Sequence, residues 1–274
     1  MGVHIVGSVL VRNEDLFVEQ AIRNVADFCD VIHVVDHQSN DGTWEIVDAL
    51  SRELDHVDAR RSRNSAVAHR LLEPYAGTPT WVIGVDGDEL YDPRGLERLR
   101  RDLEAGVHAD VFRIKAHVLN CDELDRGTRV ASGWLAPPSR PVTKLFNFEA
   151  VESWTGSPDP LQSGEVVFRP GYVWETRRDL AEHTEWNTDP LRLLHVCFLR
   201  RSTGEHSEDG LVRANLDESR AYDRGPVGTL KRVLRPDRRA PHLVELERQG
   251  RSWKREWYAR GERVDLDASP FLGS

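Results

Sequence analysis

The sequence has few cysteines and no long apolar run, and both absences limit what the protein can be. Its three cysteines are Cys29, Cys121 and Cys197, and no two of them form a CxxC pair. The first and the last lie in apolar segments, where a free thiol behaves as a small hydrophobic side chain, so we expect a reducing compartment. No stretch approaches 18 apolar residues, and the N-terminus lacks a basic region and a cleavage site. We therefore expect a cytoplasmic protein without a membrane span.

The sequence also lacks a concentration of positive charge. Its 37 lysines and arginines are spread along the chain, and 46 acidic residues bring the net charge to -9 at pH 7. A nucleic-acid-binding surface requires a basic patch, so we expect no nucleic-acid partner. The length of 274 residues is within the range of one large α/β domain with an appendage.

Strand and helix patterns alternate through the first hundred residues. Residues 3–11 are apolar and rich in β-branched side chains, residues 15–29 show helical spacing, and residues 30–36 are again typical of a strand. Residues 42–54 repeat the helical spacing, and residues 80–85 form an apolar run typical of a buried parallel strand. This alternation predicts the α/β class, with a doubly wound, mostly parallel, Rossmann-like sheet.

The pattern changes after residue 105. The stretches "ADVFRIKAHVLN", "VTKLFNF" and "EVVFRPGYVW" are typical of strands in a mixed sheet, and the Gly- and Pro-rich "DRGTRVASGWLAPPSRP" predicts a loop. From about residue 176 onward the pattern favours helices. We expect a main domain over residues 1–200 and a helical extension over residues 201–274, packed on that domain or on a second subunit of a homodimer.

Polar side chains follow three of the predicted strands. Asn13 and Glu14 follow the first, Asp36 ends the second, and Asp86 and Asp88 follow the apolar run. In an open parallel sheet, ligands bind outside the carboxyl ends of the strands. We therefore expect these side chains to face one crevice.

The stretch "DGDE" after the apolar run indicates a metal site. Residues two apart on an extended chain point the same way, so Asp86 and Asp88 can share a ligand, and Gly87 between them lets a bulky group approach the backbone. A crevice this acidic repels a diphosphate unless a divalent cation lies between them. Carboxylate oxygens are the ligands that Mg²⁺ and Mn²⁺ prefer, so we expect Mn²⁺ or Mg²⁺ here.

Other interpretations of the same stretch remain. "DGDE" is compatible with a solvated turn before a helix over residues 92–105, in which Asp92 is the N-cap and Pro93 the first helical residue. An EF-hand is disfavoured because Tyr91 stands where the calcium loop needs glycine. A dinucleotide-binding site is disfavoured because "RNEDLF" follows the first strand in place of GxGxxG.

Taken together, the motifs resemble those of family 2 glycosyltransferases, which have the GT-A fold. "VLVRNEDLFVEQAIRNVADFCDVIHVVDHQSNDGTWEIV" is followed, fifty positions after Asp36, by "DGDE". This order matches an Asn-Glu after strand one, a "DDGSTDGT"-like segment after strand two, and a DxD motif. The resemblance implies that Asn13, Glu14 and Asp36 lie at the nucleotide, with Asp36 at its base or ribose. It implies that Asp86 and Asp88 bind ribose and metal.

The resemblance also singles out residues beyond these motifs. Family members often carry a later histidine as a further metal ligand, and His195 in "LLHVCFLRR" is the candidate; a hydrogen-bonded core histidine is the alternative. Arg63 and Arg70 lie in the region that frames the nucleotide in the family. Arg200 and Arg201 lie where they can reach a diphosphate, although surface positions are the stronger expectation for them. In "HQSN", residues 37–40, His37, Gln38 and Asn40 replace the residues that are usual in the family. The resemblance therefore does not identify the base of the nucleotide.

An inverting transfer needs a carboxylate opposite the leaving group, because the proton of the acceptor hydroxyl must be taken up. Some relatives show the pattern W-x-G-x-H-E. Here "SWTGSPDP" supplies Trp154 and, where the acid falls, Asp159, with Pro158 in place of the histidine. Asp159 is the first candidate for the base and Glu152 the second, while a turn is the alternative role of Asp159. For Trp154 a core position is the stronger expectation than stacking on a sugar.

The sequence therefore predicts a metal-dependent, inverting glycosyltransferase of the hexosyltransferase kind. It would move a sugar from a nucleotide-sugar donor, with a UDP-sugar as the first expectation, to a hydroxyl of an acceptor that the sequence does not identify. A sugar nucleotidyltransferase is one alternative, although the Gly-rich phosphate loop that it should show is missing. A non-catalytic member of the same fold that binds a nucleotide-sugar is the other alternative.

Overall fold

Four parallel strands form one half of the main sheet in the computed structural model, which describes residues 2–204 and 257–273. In chain order they are β1 (His4–Val11), β2 (Val31–Asp36), β3 (Val57–Arg61) and β4 (Thr80–Asp86). In the sheet their order is β3-β2-β1-β4, and all three pairings are parallel. After β1 the chain forms β2 and β3 on one side of that strand, and it then forms β4 on the other side. This reversal of the strand order leaves a crevice at the carboxyl ends of β1 and β4.

Antiparallel strands extend this sheet beyond β4. In chain order the remaining strands are β5 (Glu89–Tyr91), β6 (Arg113–Asp125), β7 (Val130–Ala136), β8 (Val142–Asn147), β9 (Val151–Thr155), β10 (Glu165–Phe168), β11 (Arg177–Asp179), β12 (Arg192–His195) and β13 (Arg263–Asp267). The order continues from β4 through β8, β6 and β7 to β13, and each of these neighbours is antiparallel to the one before. The predicted α/β class with a mixed, mostly parallel sheet is confirmed.

Helices and an aromatic cluster cover the two faces of the sheet. The helices are α1 (Val18–Ala26), α2 (Thr43–Glu53), α3 (Ala66–Arg70) and α4 (Pro93–Glu104). Ile5 and Val9 of β1 belong to the apolar cluster that contains the buried side chains of α1 and α4, whereas Val6 faces a second cluster around Trp154. Trp154 is fully buried, so its expected core position is confirmed. None of the described helices is both long and apolar enough to cross a bilayer.

Two predictions from the second half of the sequence are wrong for the described residues. The stretch predicted as a Gly- and Pro-rich loop contains β7, and residues 177–195, predicted as helical, contain β11 and β12 and no α-helix. Gly133 explains the first error: a Cβ atom there would lie 2.1 Å from the carbonyl oxygen of Asn120 on β6. The glycine thus permits close strand pairing instead of marking a loop.

The described part of the C-terminal tail packs on the main sheet. β13 pairs with β7, and the amide nitrogen of Asn24 on α1 donates a hydrogen bond of 2.8 Å to the carbonyl oxygen of Phe271. Residues 263–267 are a strand where a helix was predicted. Residues 205–256 lie outside the described part, so the domain boundary at residue 200 and the helical extension stay predictions.

A buried ion pair fixes the start of α4. The carboxylate of Asp92 accepts a hydrogen bond of 3.1 Å from the backbone N–H of Arg94, which confirms its interpretation as the N-cap. The other carboxylate oxygen accepts a hydrogen bond of 2.9 Å from Nε of Arg192 on β12, and both side chains are buried. Asp92 therefore couples α4 to a strand one hundred residues away in the sequence.

We expect Asp92→Ala to lower the free energy of unfolding by about 3–5 kcal/mol, because it leaves the buried guanidinium of Arg192 without its carboxylate. Asp92→Asn keeps an oxygen that can cap the helix, so it should lower the free energy of unfolding by less than Asp92→Ala does. Urea unfolding followed by circular dichroism measures both. A loss of only about 1 kcal/mol in the alanine variant, as for a simple cap, would contradict the coupling.

Candidate active site

A cavity of about 820 Å³ opens at the carboxyl ends of β1 and β4. Its walls include residues 11–14 after β1, residues 84–86 at the end of β4 and residues 141–144 on β8. Residues 160–162 and residues 201–202 complete the side nearest these strand ends. The cavity therefore lies where the sheet topology predicts a ligand.

The walls of the cavity are basic, although the chain as a whole is acidic. The crevice was expected to be acidic, and that expectation is wrong for the described residues, because the strands beyond β4 add cations to it. Only two carboxylates line the cavity, and five cationic side chains outnumber them; these residues are Glu14 and Asp86, and Arg12, Arg113, Arg140, Lys144 and Arg201.

Asp86 faces the cavity and pairs with a lysine. Its side chain is 56% exposed, and its carboxylate lies 3.1 Å from Nζ of Lys144 on β8. The surrounding protein tends to raise the pKa of Asp86, but the ammonium group of Lys144 outweighs this effect and holds that pKa below its usual range. Asp86 is therefore ionised at neutral pH.

The same lysine holds a second carboxylate. Nζ of Lys144 lies 2.6 Å from Oε2 of Glu89, and both residues are buried. Burial raises the pKa of Glu89 to about 8, although Lys144 opposes the rise. Burial alone would lower the pKa of Lys144, but Asp86 and Glu89 reverse this and raise it, so the ammonium group stays charged.

Asp88 is buried beside an arginine, whereas Asp86 is exposed to the cavity, and a ligand shared by the two stays a prediction. The Oδ2 atom of Asp88 lies 2.7 Å from a terminal nitrogen of Arg201, and these two side chains are 1% and 2% exposed. Residues 87–88 form a turn between β4 and β5, so the alternation of an extended strand does not apply. Each aspartate of the motif thus has its own cation.

Glu14 completes the surroundings of Arg201. Its Oε1 atom lies 3.3 Å from the same terminal nitrogen of Arg201, and its backbone N–H donates a hydrogen bond of 2.8 Å to Thr43. A Cβ atom at Gly87 would lie 2.3 Å from Oε2 of Glu14. The group that approaches the backbone of Gly87 is therefore a carboxylate of the chain itself.

His195 ends β12 and points its Nε2 atom toward Asp88. The amide nitrogen of Asn120 donates a hydrogen bond to Ser139, so its oxygen accepts one of 3.0 Å from Nδ1 of His195. Nε2 of His195 then lies 3.7 Å from Oδ2 of Asp88. His195 is buried and hydrogen-bonded, which agrees with the alternative interpretation of this residue as a core histidine. It also adjoins the DxD motif.

Asn13 and Asp36 lie together at the ends of β1 and β2. Asn13 adopts a left-handed conformation with φ of 55° and donates its backbone N–H to Oγ of Ser39. Asp36 is fully buried, accepts hydrogen bonds of 3.2 Å from the N–H of Ser39, and lies 3.0 Å from Nε of Arg61. Burial raises the pKa of Asp36. Asn13 lines the cavity, and His37, the residue after Asp36, does so as well.

The other predicted site residues lie at the edge of this arrangement or outside it. Arg63, Arg70 and Glu152 are exposed and do not line the cavity. Asp159 is partly buried next to Pro160 of the cavity wall, and its charge acts on the pKa of His37. Of the two candidate bases, only Asp159 adjoins the cavity.

The sequence matches the family model for glycosyl transferase family 2 over residues 9–177, which is more than half of the chain. The chain belongs to this family. Its mixed α/β sheet has the GT-A arrangement that the motifs implied.

Comparisons beyond the family were distant. One matching structure is a mannosyltransferase from Pyrobaculum calidifontis in complex with GDP-Man and Mn²⁺, at 20% identity and a TM-score of 0.32, with 42% of this chain and 36% of that chain covered. The match thus spans little more than a third of that enzyme. Another is a mannose-6-phosphate isomerase from Helicobacter pylori, at 11% identity and a TM-score of 0.33, with 54% and 72% covered. No curated protein matched.

Two side chains at the DxD motif lie where they could hold a divalent cation. No group of three or more His, Cys, Asp or Glu side chains among the described residues is arranged around a metal position. Asp88 and His195 are nevertheless neighbours, and the hydrogen bond between Nδ1 of His195 and Asn120 orients the ring so that Nε2 faces Asp88. Two protein ligands suffice when substrate phosphates and water supply the others. Arg201 contacts the same oxygen of Asp88 and competes with such a cation.

The cavity wall includes residues that the sequence did not single out for this site, among them Lys144, Arg140 and His37. Lys144 and Arg140 come from β8 and the segment before it, and His37 was noted only as a departure from the family pattern. The Nδ1 atom of His37 is buried and has no hydrogen-bond partner. The position of His37 directly after the aspartate that ends β2 could have indicated a site residue. Lys144 and Arg140 gave no such signal in the sequence, because they come to the site only when the antiparallel strand β8 pairs with β4.

We expect Asp88→Ala to destabilise the metal-free protein by about 3 kcal/mol, because the buried guanidinium of Arg201 would lose its 2.7 Å contact with a buried carboxylate. Asp86→Ala is the matched control, and it should cost about 1 kcal/mol or less because Asp86 is exposed and Lys144 keeps Glu89. Urea unfolding in EDTA measures both. A carboxylate that served only as a metal ligand would leave the stability without metal unchanged, and that result would contradict the role of Arg201.

Proposed function

We propose that the protein transfers a sugar from a nucleoside-diphosphate sugar to a hydroxyl group of an acceptor, with inversion at the anomeric carbon. The observation that carries this proposal is the basic cavity at the carboxyl ends of β1 and β4 in an acidic chain. A nucleoside diphosphate carries negative charge, and a concave site lined by cations attracts it. Family membership supplies the reaction class.

The nucleotide is proposed to lie at the ends of β1 and β2. Asn13 and His37 line this end of the cavity, and Asp36 is buried directly before His37. The unpartnered Nδ1 atom of His37 can complete a hydrogen bond with a nucleobase or ribose. Burial, followed by the charge of Arg12, lowers the pKa of His37, so the imidazole is neutral at pH 7. A UDP-sugar remains the first donor to test.

The diphosphate is proposed to lie next to the DxD motif. Lys144 and Arg140 of the cavity wall can contact its oxygens, with Arg201 close behind. Asp88 and His195 would hold Mn²⁺ or Mg²⁺, and a bound cation would neutralise charge on the leaving diphosphate. Asp159 is proposed as the base that takes the proton of the acceptor hydroxyl, since it adjoins the cavity and Glu152 does not.

His37→Phe should weaken nucleoside-diphosphate binding about tenfold, because it keeps a ring of similar shape and removes the hydrogen-bonding nitrogen. Calorimetric titration of UDP and GDP into the full chain measures the loss of affinity. It also shows which nucleobase, uracil or guanine, the protein prefers. Arg63→Gln is a comparison variant, because Arg63 was predicted to frame the nucleotide but lies outside the cavity. A stronger loss in Arg63→Gln than in His37→Phe would move the nucleotide away from this end.

Asp159→Asn should lower the transfer rate by about 10² to 10⁴ while the affinity for the donor changes little, because the amide keeps the shape but cannot accept the proton. Glu152→Gln is the matched control and should transfer at the wild-type rate. The measurement is product formation from a panel of nucleotide-sugars and acceptors with Mn²⁺, Mg²⁺ or EDTA. An inactive Glu152→Gln with an active Asp159→Asn would exchange the two assignments.

The same panel separates the proposed reaction from its alternatives. Release of a nucleoside diphosphate from the donor, with or without an acceptor, indicates a glycosyltransferase. Formation of a nucleotide-sugar from a nucleoside triphosphate and a sugar 1-phosphate would indicate a nucleotidyltransferase. Donor binding with neither reaction would indicate a non-catalytic binding protein.

A further inference from the structure

One arginine of the cavity wall lies far from the DxD motif. Arg113, the first residue of β6, pairs in register with Phe146 of β8, and Phe146 pairs with Val82 of β4. Val82 precedes Asp86 by four positions, so Arg113 lies about 13 Å back along the strands from the motif, in addition to its offset across the sheet. A diphosphate held at Asp86 does not extend to this end of the cavity.

Arg113 is partly buried and, unlike Arg178 and Arg192, has no carboxylate partner among the described residues. Its Nε atom is buried without a hydrogen-bond partner, and it forms no ion pair within residues 2–204 and 257–273. Its guanidinium carbon lies 5.4 Å from the centre of the Trp174 ring, which also lines the cavity. By contrast, Arg192 pairs with Asp92, and Arg178 pairs with Asp110.

A second positive charge lies beside it. Arg177 on β11 is in parallel register with Arg113, so the two arginines are neighbours across the strands. Arg177 is exposed and also forms no ion pair among the described residues. Burial and then the charge of Arg177 lower the pKa of Arg113, and the charge of Glu175 opposes them only in part. Two adjacent like charges are unfavourable until an anion lies between them.

We propose that Arg113, Trp174 and Arg177 form a subsite for an anionic group, a carboxylate or a phosphate, on the acceptor sugar. A planar guanidinium binds either group through two parallel hydrogen bonds, and the indole ring packs against the apolar face of a sugar. This subsite rests on the proposed function, because it assigns the charge of the acceptor in the same cavity. It accounts for a partly buried cation that lies away from the donor end of the cavity.

Three probes that share one sugar ring test the charge of the acceptor: methyl glucoside, methyl glucuronide and glucose 6-phosphate. Each is titrated calorimetrically into the full chain already saturated with the nucleoside diphosphate that it binds, so that the donor end is filled. We expect at least one charged probe to bind ten times or more tighter than the neutral probe. The preferred probe distinguishes carboxylate from phosphate.

Arg113→Gln should remove that preference, and Arg113→Lys should restore part of it, because lysine keeps the charge but not the paired hydrogen bonds. Arg177→Gln should reduce it less, since an exposed charge is screened by water. Arg101→Gln on the exposed side of α4 is the matched control and should leave the preference unchanged. Thermal melts verify that each variant is folded.

The inference is wrong if the neutral probe binds as tightly as the charged ones, if none of the three probes binds the wild-type protein, or if Arg113→Gln retains the preference. The nucleoside-diphosphate titration in the same samples separates this failure from that of the proposed function. Absence of nucleotide binding would overturn both. Nucleotide binding without an anion preference would overturn only the acceptor subsite.

Discussion

Four carboxyl groups meet at the ends of β1 and β4, and the cost of ionising them there must be compensated before any ligand arrives. Two side chains provide the compensation: Lys144 contacts Asp86 and Glu89. Arg201 contacts Asp88 and Glu14. A buried carboxylate without such a partner would lose several kcal/mol of solvation or take up a proton. The DxD segment therefore depends on cations that come from elsewhere in the chain.

This compensation changes how the donor site should be understood. A negatively charged crevice would need a metal ion before a diphosphate could enter. Here the cavity wall already carries more positive than negative side chains, so the proposed diphosphate would be attracted by the protein itself. A divalent cation bound by Asp88 and His195 would then have to displace or share the contact of Arg201 with Asp88. The affinity for metal and the position of Arg201 are thus linked.

The parallel half of the fold could be predicted from the sequence because its signals are local. Buried parallel strands are continuous apolar runs, and the cap at Asp92 is a short motif. The second half could not be predicted in the same way, because Gly133 marks a close strand approach that looks like a loop. β12 was predicted as helical because a strand of four residues is too short to show a period.

The candidate site was predictable only where its residues follow parallel strands. Asn13, Glu14, Asp36, Asp86 and Asp88 were found because each lies at a strand end, and four of them are near the cavity or the Arg201 contact. Lys144 and Arg201 were not found as their partners. Lys144 lies 58 residues after Asp86 in the sequence, and Arg201 lies 113 residues after Asp88. Only the folded chain brings the two cations to the DxD motif.

The strand β12 explains why His195 and the acidic segment must be considered as one unit. β12 is inserted between β5 and β6, and its register places His195 opposite Glu89 on one side and Asn120 on the other. The first pairing sets the histidine beside the DxD turn, and the second supplies the oxygen that orients its ring. Any shift of β12 by one residue would turn His195 to the other face and remove it from Asp88. The geometry at the proposed metal position is therefore determined by the backbone register of strands outside the parallel sheet, and not by the DxD motif alone.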